Sequence, residues 1–306
     1  MSGESHVIYL YDGTWAGMLC CVWTAFSEKE NPRDIWCYDD EQPTLFTLRE
    51  VVTEAALAER VQTGIRRRLG ALAEQWVWDA YYSDLPHREL AALEFLKLGF
   101  AKGPCVTAMV GHPQVAPLFT ASRALHHEAH LLSGFIRFVE RSGVLTAVIR
   151  PKNFVLPFLE PHFTARFPYE NYMIYDETHR YALVVSRGQS RLLQAEDIRM
   201  PAPTPEEERF LSLWKQFYDT IGIAERHNPK CRMTHVPKRY WDCMDELRGE
   251  KKPLPVSVRQ AIAAGELTLP GEAAPLPAIA TPTQASLAQA RQASAAINPA
   301  STVSSH

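Results

Sequence analysis

The sequence predicts an α+β fold, a mixed or antiparallel sheet covered by helices, followed by a disordered C-terminal tail. Three observations carry this. Short runs rich in β-branched and aromatic residues alternate with longer segments of helical periodicity. Three consecutive strand signals, Val144 to Ile149, Tyr172 to Asp176 and Arg180 to Ser186, point to an antiparallel or mixed sheet. Beyond about Leu247 the chain turns to Ala, Pro, Ser, Thr and Gln, which cannot bury enough surface to offset ordering entropy. The expected organisation is one domain over residues 1–247 and a tail over 248–306.

Val7 to Tyr11 reads as a short strand, and Asp12-Gly13-Thr14 turns the chain with Thr14 as N-cap. Apolar positions Trp15, Leu19, Val22, Trp23 and Phe26 then set a helix to about Lys29, ended by Asn31-Pro32. Asp12 thereby sits at the carboxyl end of a strand beside a helix N-terminus, a common place for a functional acid; capping of the turn is the competing reading. Residues 35–53 read as short extended pieces. A helix is expected from Glu54 to Leu69, capped by Thr53 and stopped by Gly70. Arg66, Arg67 and Arg68 at its end suit the helix dipole.

Helices near Ala71–Tyr82 and His87–Phe100 carry Trp76, Trp78, Tyr81 and Tyr82, read as core and domain-interface aromatics. Val115 to Glu140 reads as mostly helical with a break at Gly134. His126 and His130 share one face of it, but without a third ligand no metal is assigned. Arg137, between Ile136 and Phe138, is expected to be partly buried and to need an acceptor. A short helix after Phe154 carries Glu160, His162 and Arg166, with His162 and Arg166 on one face. After a proline-rich linker, Thr204-Pro205-Glu206-Glu207 is a strong helix start. That helix runs to about Ile221, and its stripe of Phe210, Leu213, Trp214 and Phe217 is assigned to packing.

The richest functional signal is Ile223 to Trp241, IAERHNPKCRMTHVPKRYW. It gathers Arg226, Lys230, Arg232, Lys238 and Arg239 with His227, Asn228, His235, Tyr240 and Trp241 against a single acid, Glu225. Pro229 and Pro237 are expected to prevent a continuous helix and leave a stiff, irregular loop. Cations beside aromatic rings and an amide suit a ligand with phosphates and bases. The plainer reading is a solvated loop whose arginines pair with acids elsewhere.

Bulk properties narrow the classes. The 306 residues are 46% apolar, ample for a core, and the formal net charge of −3 excludes a polycation held to DNA by overall charge. The six cysteines form no CxxC pair, which fits a reduced, cytoplasmic protein and neither a disulfide scaffold nor an iron–sulfur carrier. No secretory signal is read at the start, and no run approaches the roughly 18–20 apolar residues of a membrane span.

The motifs YDGTWAG, GFIRF, NFVLPFLEPHFTARFP, IYDETHRYAL and IAERHNPKCRMTHVPKRYW resemble the bacterial DUF4130 family, in order, over about residues 6–245. The resemblance implies a role in DNA metabolism and a radical-SAM partner thought to act in DNA modification or repair. It also implies kinship with domains fused to uracil-DNA-glycosylase-type proteins. It brings no established active site. The chain has no three-cysteine radical-SAM motif, so iron–sulfur chemistry falls to the partner and no cofactor is assigned here.

The leading expectation is an accessory nucleic-acid-binding protein in DNA repair or modification, with Arg226, Asn228, Lys230, Arg232, His235, Lys238, Arg239, Tyr240 and Trp241 as contacts. The alternative is an enzyme on nucleic acid or nucleotides, with Asp12, Glu160, His162 and Asp176 as acid–base groups and Arg166 and Arg137 stabilising an anion. Against it, the chain has no Walker loop, zinc-deaminase signature or GxSxG elbow. A third reading is an adaptor holding the radical-SAM partner on its substrate.

Overall fold

Strand β1 (Val7–Tyr11) is the centre of a three-stranded parallel sheet, flanked by β2 (Asp34–Cys37) and β3 (Thr47–Glu50). The computed structural model describes residues 6–38, 43–195, 198, 200–221 and 228–247. The expected tail over 248–306 lies outside the described residues. The Cα trace divides into two units. The first holds the described residues to Leu131 with Pro151–Phe158; the second holds Leu132–Arg150 and the described residues from Leu159 onward.

In the first unit, helix α1 (Trp15–Ser27) links β1 to β2, the crossover that a parallel pair requires. Its residues are apolar almost all round and most are buried, as befits a helix packed on several sides. Thr14 caps it, its hydroxyl accepting from Gly17 N at 3.0 Å. Asp12 Oδ1 in turn accepts from Thr14 N at 3.0 Å and Thr14 Oγ1 at 2.7 Å. A Cβ on Gly17 would stand 2.2 Å from Asp12 Oδ1 and 2.8 Å from Thr53 Oγ1, so only glycine fits there. Thr53 is thus packed against α1. It does not cap α2 (Ala55–Leu69), whose cap position falls to Glu54 without a side-chain bond.

Helices α3 (Ala71–Tyr82), α4 (Arg88–Lys102) and α5 (Ala116–Phe135) follow, with a short 3-10 helix Pro104–Ala108 between the last two. Trp76, Val77, Phe95, Leu96 and Leu118 join the core around β1 and α1. The buried carboxylate of Asp79 accepts from Ser122 Oγ at 2.6 Å and meets His126 Nε2 at 2.9 Å. Burial pushes that carboxyl up from its ordinary range, while the Ser122 and His126 bonds pull it back. His126 is therefore held in place by Asp79. Asn153 ties Pro151–Phe158 to this unit: its N and Nδ2 donate to buried Glu128 Oε2 at 2.9 and 2.6 Å, and its Oδ1 accepts from Asp84 N.

The second unit is built on a five-stranded sheet, ordered β4 (Val139–Arg141), β5 (Val144–Ile149), β6 (Tyr172–Asp176), β7 (Tyr181–Ser186), β8 (Gln189–Gln194). Within it only β5 and β6 run parallel, and the chain between them contains α6 (Leu156–Arg166). The sheet is mixed, as expected. The helix ends at Phe135, one residue past the break expected at Gly134, and the rest of the expected helical stretch leaves for β4, with Arg137 N donating to Cys243 O at 3.0 Å. Phe138 packs edge to face on Phe163, Phe167 and Tyr172 at 5.3–5.8 Å. Buried Asp176 fixes the β6–β7 turn, accepting from Thr178 N, His179 N and the His179 ring.

Helix α7 (Pro205–Ile221) starts where the sequence places it, with Thr204 Oγ1 accepting from Glu207 N. Its apolar stripe, expected to pack, is instead exposed: Phe210 is 58% and Trp214 41% accessible, with Leu213, Phe217 and Ile221 similar. Periodicity shows that a helix has an apolar face; it does not show what covers it.

Gly17→Ala is expected to lower stability by about 1–3 kcal/mol through overpacking against Asp12 and Thr53. Denaturant unfolding measures it, and an unchanged midpoint would contradict the close approach described.

Candidate nucleic-acid interface

Within the second unit the cationic segment is more regular than its prolines suggest. Pro229 starts a helix, α8 (Pro229–His235), because the first helical position needs no N–H. Asn228 caps it, its side chain accepting from Cys231 N at 3.0 Å. Pro237 then leads into a 3-10 helix, Lys238–Cys243. The expected irregular loop is therefore two short helical turns. Arg226 lies outside the described residues.

Trp241 holds these turns together. Its Nε1 donates to Val236 O at 3.0 Å, and its ring lies 4.8 Å from the Arg232 guanidinium and 5.6 Å from the Lys238 ammonium. Cations on an indole ring give a site in which charge and aromatic surface are side by side. Arg239 covers Tyr240 in the same way at 4.5 Å and donates to its hydroxyl. Tyr240 itself is 1% exposed and packs on Phe135 at 5.7 Å, so it cannot stack on a base and is removed from the expected contacts. Lys230, Lys238 and Arg239 are exposed and Arg232 is half-buried. Lys230 and Lys238 form no ion pair among the described residues. His235 Nδ1 lies 2.9 Å from Cys231 O, which fixes its ring across the last turn.

The segment is anchored by Arg137. Beyond its backbone bond to Cys243, Arg137 donates from Nη2 to Glu246 Oε1 at 2.9 Å and from Nη1 to Gly134 O at 2.9 Å. Glu246 is 5% exposed and its other oxygen accepts from Trp214 Nε1 at 3.3 Å. Arg137 has thus found the acceptor that its apolar neighbours demanded. Its charge is offset by Glu246. Sequence reasoning missed Glu246 because its partner lies 109 residues away and no local pattern links them.

Asp12 belongs to the first unit and is engaged in the Thr14 turn. His162 is exposed on α6, edge-on to Phe163 at 4.9 Å. Arg166, also exposed, lies 5.7 Å over Phe167 and lines a cleft that Arg137 borders and His162 does not. The described residues contain no cluster of three or more His, Cys, Asp or Glu able to hold a metal ion, and none of their helices is long and apolar enough to cross a membrane.

Arg137→Ala is expected to cost about 3 kcal/mol, because it leaves the Glu246 carboxylate buried without its cation. The double change Arg137→Met with Glu246→Leu should cost less. Chemical denaturation of the three proteins checks this, and a single variant as stable as the parent would refute the anchor.

No curated protein matches the chain. A family model described as a domain of unknown function, DUF4130, matches residues 86–246, just over half of the sequence. The match takes in Arg137, α6, the five-stranded sheet and the whole described cationic segment, and leaves Asp12 and β1 outside. The chain belongs to the DUF4130 family.

Proposed function

We propose that this protein is an accessory nucleic-acid-binding protein of DNA repair or modification, acting in the cytoplasm through its cationic segment. The observation that carries the reading is one short helical segment that places Arg232 and Lys238 on the Trp241 ring and Arg239 on Tyr240, with Lys230 exposed in the same segment and both ammonium groups outside any ion pair among the described residues. With a net charge of −3, phosphate attraction has to come from such a local patch. Trp241, half-buried, is the ring of this segment that offers a base surface, since Tyr240 is enclosed. The radical-SAM partner in this proposal rests on the family resemblance, and it would supply the redox chemistry. For the enzymatic alternative, Asp12 is engaged in a turn and His162 has no hydrogen-bond partner among the described residues.

Four phosphate contacts give a slope of about −3 in log affinity against log salt for a single strand, or about a 50-fold loss between 50 and 200 mM salt. Fluorescence anisotropy with labelled single- and double-stranded DNA measures this. Lys230→Ala with Lys238→Ala should weaken binding at low salt and reduce the slope by about 1 to 2. Salt-independent binding, or a double variant that binds like the parent, would rule the proposal out.

A further inference from the structure

The second unit contains a cleft of about 650 Å³, within the roughly 300–1,000 Å³ range of small-molecule sites. Much of its apolar lining is aromatic, beside aliphatic residues such as Leu145 and Leu211: Phe163 and Phe167 come from α6 and the residue after it, and Phe210 and Trp214 from α7. Phe210 and Trp214 keep large fractions of their rings accessible, although the same helix has polar positions to present instead. Open aromatic surface at a concave site marks a ligand with flat, apolar faces.

The polar lining narrows the ligand. Arg166 has no hydrogen bond or ion pair among the described residues, and its guanidinium rests only over Phe167. Arg137 also borders the cleft, but Glu246 offsets its charge. That leaves Arg166 as the uncommitted cation of this lining, suited to one phosphate. Glu207 and Asp245 supply carboxylates to the same lining. Together they disfavour a polyphosphate, and the Glu207 carboxylate, which has no side-chain hydrogen bond or ion pair among the described residues, accepts from N–H donors. A carboxylate pairs with the adjacent N–H groups of a guanine edge in two parallel bonds, whereas thymine offers one N–H between two carbonyls that repel it.

We infer that this cleft receives one unstacked nucleotide, its base against Phe210 and Trp214, its phosphate on Arg166, and guanine preferred over thymine. The inference deepens the nucleic-acid reading and rests on it for biological context. The cationic segment would then hold the strand while the cleft takes a single base out of it. Asp245 lies just past the 3-10 helix of that segment, so strand and base sites are joined within a few residues.

The test uses the full-length protein and free deoxynucleoside monophosphates, titrated by calorimetry and by saturation-transfer NMR. The monophosphate of deoxyguanosine should bind at least about five-fold more tightly than that of thymidine. Arg166→Ala should reduce its affinity roughly ten-fold while leaving deoxyguanosine itself unaffected, and Phe210→Ala should weaken both roughly ten-fold. Lys230→Ala with Lys238→Ala should leave mononucleotide binding intact while impairing oligonucleotide binding. No mononucleotide binding at millimolar ligand, equal binding of the two bases, or no effect of Arg166→Ala would overturn the cleft assignment. Oligonucleotide binding surviving such a result would leave the cationic segment standing. Mononucleotide binding with no oligonucleotide binding would keep the cleft and remove the cationic segment as a strand site.

Discussion

The carboxylate of Glu246, buried between Arg137 and Trp214, is the constraint on which the second unit depends. It joins three parts of the chain: the exit from α5, the middle of α7 and the end of the described residues. A buried charge of this kind has value only while its partners are in place, since its desolvation is otherwise uncompensated. The three elements are therefore mutually dependent. The backbone bond from Arg137 to Cys243 lies beside it, just past the end of α5 at Phe135. One local arrangement thus ties the end of a helix and the start of the edge strand β4 to the cationic turns.

What is fixed in this way is a compact surface of charge on aromatic rings. Arg232 and Lys238 share the Trp241 ring, and Arg239 covers Tyr240. Long cationic side chains ordinarily lose rotamer freedom on binding a phosphate, and resting on a ring removes part of that loss beforehand. The enclosed Tyr240 serves as a footing, packed on Phe135, so that Trp241 next to it can remain half-exposed. Local placement of charge, not its total, is what allows a chain of net charge −3 to carry such a site.

Much of the fold is legible in the sequence because it is locally encoded. The limits of β1, β5, β6 and α3, the Thr14 cap and the Thr204-Pro205 start of α7 all follow from patterns within a few residues. The misreadings share a cause. Thr53 loses its capping role to a contact with Gly17 from a distant helix, and the stretch after α5 leaves for β4 where Arg137 N meets a remote carbonyl. Strands β4 and β8 are short or polar, and their pairing is supplied by neighbours already in the sheet. At the site, the cations and the need of Arg137 for an acceptor are readable. The burial of Tyr240, the identity of Glu246 and the exposure of the α7 stripe are not, because each is a statement about what lies opposite in space.

The most direct test of the cationic segment as a nucleic-acid surface is photo-cross-linking of the full-length protein to a single-stranded oligonucleotide carrying iodouracil, with the attachment sites mapped by mass spectrometry. Cross-links are expected to concentrate on the segment from Asn228 to Trp241, with Trp241 prominent and Tyr240 absent. Cross-links spread over the first unit, or modification of Tyr240 in folded protein, would contradict it.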